Sequence, residues 1–279
     1  QGQLLTYDSI TGWVNADPQQ GIMTLDDRTH AYVAQFGTTG TGNSNFDTPG
    51  QIAIDSSGNI YVADTANNRL KKHDSSGTYV TSITSLTGIT GVCIDSSNNI
   101  YVAYNSSVIR KYNSSLVAQW TASPAAGADH RPKHLATNGT SLWATSWLGN
   151  VATNGYVFKL PCSTGVWAFE DWGAYGPTAN NLSSPMGITT DGTYVYVVDQ
   201  ANDRIQKRTT SGAYISSFGR SGADPGEFQT AVGIHYNSVT GTLYVTDSGR
   251  DDVQEFTTDG GFVGSFGSAG TGNGQLQDA

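Results

Sequence analysis

Apolar and polar positions along this chain are arranged in short runs: Ile52-Ala53-Ile54 before Asp55, Ile60-Tyr61-Val62-Ala63 before Asp64, Val195-Tyr196-Val197-Val198 before Asp199. The runs are rich in β-branched and aromatic residues and are bounded by Asp, Asn, Ser and Gly, which predicts short strands joined by tight turns. Helical spacing of apolar residues does not occur between them.

The runs repeat. Ile52 to Asp55 followed by Ile60 to Asp64 returns as Val92 to Asp95 with Ile100 to Ala103, as Ile188 to Asp191 with Val195 to Asp199, and as Ile234 to Asn237 with Leu243 to Asp247. Two weaker copies are Leu5 to Asp8 with Trp13 to Asp17, and Leu135 to Asn138 with Leu142 to Ala144. The anchor residues Asp8, Asp55, Asp95, Asn138, Asp191 and Asn237 lie 40 to 53 positions apart. Each copy reads as four strands: the two runs, a third such as Arg69-Leu70-Lys71-Lys72, and a fourth such as Ala213 to Phe218 after a Ser-Gly or Asp-Gly turn. A lone four-stranded sheet cannot bury both faces, so such units stack around an axis. The expected fold is all-β: a six-bladed β-propeller with four antiparallel strands per blade. It forms a single domain over residues 1–279, with blades at about 3–37, 49–84, 89–120, 133–173, 185–219 and 231–267.

The phrase Asp55-x-x-Gly58-Asn59-Ile-Tyr-Val-Ala-Asp64-Thr-Ala-Asn-Asn-Arg69-Leu70, with the connector Phe218-Gly219-x-x-Gly222-x-x-x-Gly226-Glu227-Phe228, resembles the NHL repeat of six-bladed β-propellers. The connector recurs from Phe36-Gly37, from Trp172-Gly173 and from Phe266-Gly267. Propellers of this type host lyases, lactone hydrolases, RNA binders and protein-binding sensor domains, so the resemblance implies a fold more than a function. The last connector stops where a first strand would begin, and Leu4 to Tyr7 supplies that strand, so the termini are expected to meet at one seam without exchanging strands.

Composition narrows the partners. With 14 Lys+Arg against 23 Asp+Glu the net charge is −9, a field that repels phosphate backbones and anionic lipid. Nucleic acid is therefore not expected as a partner, and no apolar run approaches the roughly 20 residues of a membrane-spanning helix, so membrane insertion is not expected either. The chain begins at Gln1 rather than Met, and a processed N-terminus fits an extracellular or surface-exposed protein. Cys93 and Cys162 are too few for a disulfide framework; both are expected to be free thiols.

Candidate chemistry is sparse. The loops after the second strands and the connectors share one face, which carries Asp64, Arg69, Asp199, Arg204, Asp247 and Arg250; their repetition suits hydrogen bonding between loops. His134 and His235 fall on first strands near the axis and are the metal candidates if the channel is catalytic. The histidines that the peptidyl-hydroxyglycine lyases of this fold carry between second and third strands are replaced here by Asn67-Asn68 and Asn202-Asp203. The Glu-Gly-Pro-His phrase of streptogramin lyases is missing too. Turns such as Asp55 to Asn59 lack the alternating ligands and distant Glu of a calcium loop. No cofactor is predicted, with calcium or another divalent metal admitted only by the catalytic alternative. No Gly-x-Ser-x-Gly elbow or phosphate-cradling Gly-Lys loop occurs.

Repetition fails in the fourth copy, where Trp143, Trp147, Trp167 and Trp172 gather behind the basic run His130-Arg131-Pro132-Lys133-His134. Wide aromatics there fill a blade interface or, at a loop position such as Trp147, meet a partner. Binding residues are accordingly expected at Trp147, His130, Arg131, Lys133 and His134, beside the repeated Asp and Arg positions. The leading expectation is a non-enzymatic recognition or assembly module for protein or carbohydrate, self-assembly included. The alternatives are a metal-assisted lyase or lactonase acting in the channel and a structural subunit of a surface or virion assembly.

Overall fold

A computed structural model describes the backbone of residues 5–8, 12–17, 21–25, 32–34 and 147, and the complete residues of 35–105, 107–123, 131–146, 155–166, 172–173 and 176–276. Every sheet of three or more strands is an antiparallel meander in which consecutive strands pair. The first comprises β1 (Leu5–Asp8), β2 (Gly12–Asp17), β3 (Gly21–Leu25) and β4 (Tyr32–Phe36). A small parallel pair, β5 (Thr38–Thr39) and β6 (Asn45–Phe46), lies in the connector that follows. The second sheet holds β7 (Pro49–Ile54), β8 (Ile60–Asp64), β9 (Arg69–His73) and β10 (Tyr79–Ile83), and the third β11 (Gly91–Ile94), β12 (Ile100–Tyr104), β13 (Val108–Tyr112) and β14 (Ala118–Ala122). The fourth copy contributes β15 (Pro132–Thr137), β16 (Ser141–Trp147) and β17 (Gly155–Pro161). Then come β18 (Pro185–Thr190), β19 (Tyr194–Asp199), β20 (Arg204–Thr209) and β21 (Tyr214–Phe218), and finally β22 (Ala231–Asn237), β23 (Thr242–Asp247), β24 (Asp252–Thr257) and β25 (Phe262–Phe266).

Six four-stranded blades were expected, and that count is corrected: five blades are present among the described residues, and β15 to β17 form a three-stranded sheet instead. Residues 167–171, where its outer strand would lie, are outside the described residues; among the described ones Trp172 bridges Val157 of β17, as Phe218 pairs with Ile205 at the end of β21. Trp172 turns its ring inward against Trp143, with centroids 6.3 Å apart, and both are buried, as Phe218 packs on Phe256. Each sheet is built from consecutive strands, β1 to β4 included, so among the described residues no strand is exchanged between the two ends of the chain.

The core lies in the gaps between sheets. Tyr61, Ala63 and Leu70 pack against Val92, Ile100 and Val102 of the next sheet; Ala103 and Ile109 pack against Leu142 and Phe158; Tyr196 and Val198 pack against Leu243 and Val245. Second strands are sandwiched on both faces, which is why β8 and β12 are buried along their whole length and read as nearly continuous apolar runs. First strands line the axis, each beside the first strand of the neighbouring sheet, with β1 lying between β22 and β7.

The first strands approach closely at one level. A Cβ added to Gly91 would lie 2.5 Å from the Lys133 carbonyl oxygen, so only glycine fits there. Gln51 spans this constriction. Its Oε1 accepts the backbone N–H groups of Val92 at 3.1 Å and Leu135 at 2.9 Å, and its Nε2 donates to the Leu135 carbonyl at 2.8 Å. One buried side chain thereby satisfies inner-edge groups on two neighbouring sheets, a polar residue that the apolar phrase around it would not suggest.

Replacing Gln51 with Ala leaves three buried backbone groups without partners, each costing roughly 1–3 kcal/mol. A loss of about 3 kcal/mol in urea unfolding is expected; a loss under about 1 kcal/mol would show that water replaces the side chain.

Candidate functional site

At the loop face, the turn after each second strand is tied to the connector entering its sheet. The Asp64 side chain is sealed from solvent and accepts from the Asp47 N–H at 2.8 Å, from Asn67 Nδ2 at 3.0 Å and from Arg69 Nε at 2.8 Å. The Arg69 guanidinium then donates to the carbonyls of Gly42 and Asn45 in the connector. Lys71 donates to Gly42, Asn43 and Asn45 and stands 4.5 Å above the Phe46 ring. Burial, with repulsion from Arg69, pushes its ammonium down to about 8 against the pull of Asp64. Asp199 repeats the pattern with Ser183, Asn202, Arg204 and Gln206, and Arg204 reaches the Thr178 and Asn181 carbonyls.

The third instance exchanges its charges. Asp247 accepts the N–H groups of Gln229, Thr230 and Gly249, whereas Arg250 pairs with Asp252 at 3.1 Å and donates to Ala223 in the connector. Asp252 holds the position that Arg69 and Arg204 occupy in their copies, and Arg250 the position of Asn67 and Asn202. Burial raises the Asp252 carboxyl despite Arg250, and its Oδ1 has no hydrogen-bond partner. All six repeated Asp and Arg positions thus lie on one face and are engaged in joining loop to connector.

The other predicted residues are dispersed. His130 and the side chain of Trp147 lie outside the described residues. Arg131 is exposed, with its N–H on Ser146 Oγ at 2.9 Å, and burial lowers the Lys133 ammonium. Trp143 and Trp172 are core residues. His134 is partly buried beside the backbone of Met186, and its Nδ1 is shielded without a partner.

A cavity lies elsewhere. The channel contains a well of about 400 Å³, lined by first strands of five sheets and by the turns that follow them. Gln51 stands at its inner end and the exposed turn residues Ser56 and Ser96 stand at its mouth, on the end of the channel opposite the loop face. Ala53, Ile54 and Ile94 are the partly exposed aliphatic residues of the wall, Ile52, Leu135 and Ile234 being largely buried in the cores behind it, and backbone groups with His235, Cys93 and Thr189 make about half of the wall polar. Thr189 Oγ1 is already engaged, accepting the Tyr236 N–H at 3.1 Å. Asp55 and Asp95 stand near the mouth, where each accepts N–H groups of its own turn and a tyrosine hydroxyl, Tyr61 or Tyr101. Burial raises the Asp55 carboxyl, but hydrogen bonds from Asn59 and Ser57 and the charge of Lys72 outweigh it and hold the group below its usual value.

Of the two histidines named as metal candidates, His235 lines this well and His134 does not. Among the described residues no group of three or more His, Cys, Asp and Glu is placed to hold a metal ion. Cys93 and Cys162 are both buried and free; burial, with Cys162 and Asp95 nearby, pushes the Cys93 thiol well up. The sequence offered little sign of Gln51, Cys93 and Thr189 as channel residues, because they stand in first strands that read as core.

Sheets stacked face to face around an axis, with their innermost strands lining a channel, define a β-propeller. This one carries an NHL repeat: the NHL repeat profile matches residues 46–72, the stretch that contains Asp64 and Arg69. No curated protein matches the sequence. Similar solved structures include hydrazine synthase of Kuenenia stuttgartiensis (TM-score 0.68, 14% identity, covering 91% of this chain and 76% of that one). A streptogramin B lyase aligns with TM-score 0.61 and 15% identity over 97% of this chain and 84% of that one. A chain from a nidogen/laminin complex aligns with TM-score 0.66 and 16% identity over 89% and 90%. At these identities the likeness is one of fold.

Substituting Asp199 with Ala strands Arg204, Asn202 and Gln206 in the interior, and breaking a buried pair from one side costs about 3–5 kcal/mol. Denaturant unfolding should show a loss of that size, and a loss below about 1 kcal/mol would mean that the contacts are dispensable. A second expectation concerns pH. Burial, with repulsion from Lys133, lowers the His134 imidazole from 6.5 to about 4, and His73 is lowered mainly by burial. A folded-state value below the unfolded one means that the unfolded chain binds more protons between the two, so stability falls as pH drops from 6.5 toward 4. Urea midpoints measured across that range should fall less steeply for His134→Gln than for the parent chain.

Proposed function

We propose that this propeller is a recognition module, located outside the cell or on a surface, for a protein or carbohydrate partner, with the channel well as its ligand-binding feature. The observation that carries this reading is the well itself: its volume lies within the usual range of small-molecule pockets, and its wall combines aliphatic side chains with convergent polar groups in about equal measure. The repeated charged residues, by contrast, are spent on holding the fold. Protein binding accords with the nidogen/laminin likeness, and a loop-face contact through Trp147 would add to the well rather than replace it.

The second reading is catalytic. His235 is a titratable residue in the wall of the well, and the streptogramin B lyase shares the fold. The two readings separate by experiment. A panel of glycans and small organic molecules is screened by thermal shift against the parent chain and against Ala53→Trp, whose indole would fill the well. The recognition reading expects ligands that raise the midpoint of the parent and not of the filled variant, with no product formed. Turnover of a lactone or cyclic depsipeptide that His235→Ala abolishes would replace it with the catalytic reading. Ligands that stabilise both chains equally would move the site to the loop face.

A further inference from the structure

The described wall of the well contains no Lys or Arg, while Asp55 and Asp95 stand at its mouth. Lys72, 3.7 Å from Asp55 Oδ2, offsets one carboxylate from outside the lining. The whole chain carries −9, and a cleft with low-dielectric walls concentrates such a field, favouring one sign of ligand by factors of 10 to 1,000 in association rate. The partly exposed Ala53, Ile54 and Ile94 form an aliphatic section below the mouth that suits a hydrocarbon or aromatic body, and the hydroxyls of Ser56 and Ser96 at the rim suit a polar end.

From this we infer that the well takes organic cations: a molecule or side chain with an apolar body that enters the aliphatic section and an amine or quaternary ammonium that stays at the carboxylate-bearing mouth. Anions of the same size are rejected. The inference rests on the reading of the well as a ligand site and adds the class of ligand. It concerns the end of the channel away from the loop face, where none of the repeated Asp and Arg residues of that face takes part.

The protein holds its own reporter. Cys93 lines the well at 8% exposure, whereas Cys162 is 2% exposed and outside the lining. Three methanethiosulfonates are compared on the intact chain at low salt: the uncharged methyl reagent, the cationic trimethylammonium-ethyl reagent and the anionic sulfonatoethyl reagent. Modification of Cys93 is followed by intact mass and peptide mapping, rates are divided by those for a free thiol in the same buffer, and Cys93→Ser sets the background. The cation should modify Cys93 at least tenfold faster than the anion, with the ratio shrinking as salt screens the field. Benzyltrimethylammonium should protect Cys93 from the uncharged reagent, and benzenesulfonate should not. Equal normalised rates for cation and anion, or equal protection by both aromatic probes, would overturn the charge selection while leaving the well as a ligand site. If the uncharged reagent leaves the buried Cys93 thiol unmodified, Ser96→Cys at the exposed mouth carries the same comparison, and equal normalised rates for cation and anion there would overturn the charge selection.

Discussion

The arrangement depends on a carboxylate buried at the end of a second strand. Asp64 and Asp199 are sealed from solvent, and each is satisfied only because its turn, the connector backbone and an arginine converge on it. A buried charge left unpaired is costly by several kcal/mol, so the turn can take one conformation and the connector one path. That path delivers Phe46, Leu182 and Phe228 into the gap between sheets, where all three are fully buried. Electrostatics at the rim thus positions hydrophobic residues that fill the interior.

The connector requires its own geometry. Gly219 has φ +89°, and a Cβ there would lie 2.2 Å from the Phe228 ring; Gly37 stands in the same relation to Phe46 at 2.4 Å. The loop is closed by Gly222 donating to the Phe228 carbonyl, as Gly40 does to that of Phe46. Where the charges are exchanged, at Asp247, Arg250 and Asp252, the connector is still gripped, but the carboxylate is held by backbone N–H groups and the arginine is paired one position along the strand face. The fold requires a satisfied carboxylate and a donor to the connector, and more than one pairing supplies them.

This division leaves the other end of the channel free for binding. Turn carboxylates there are held by their own backbone, first strands are bridged by Gln51 and Thr189, and the space left between them is the well. In the fourth copy Trp143 and Trp172 are drawn into the core, and Trp172 takes the place that Phe218 takes in the fifth sheet.

The sequence alone determined the repeat, the strand pattern within it, the glycine-bearing connectors and the loop face on which the repeated Asp and Arg residues fall, because all of these rest on local periodicity and turn chemistry. It also indicated that those charges hold the fold, since a residue demanded in several copies answers a need of every copy. Only the tertiary structure decided how the sheets pack, because the residues that fill a gap, such as Trp143 and Trp172, come from separate segments and meet across it. Only the tertiary structure likewise brought Gln51 to Leu135, 84 positions away, and set Cys93 and His235 around one well. Side chains that meet across a channel belong to different copies, and no spacing within a single copy records their meeting.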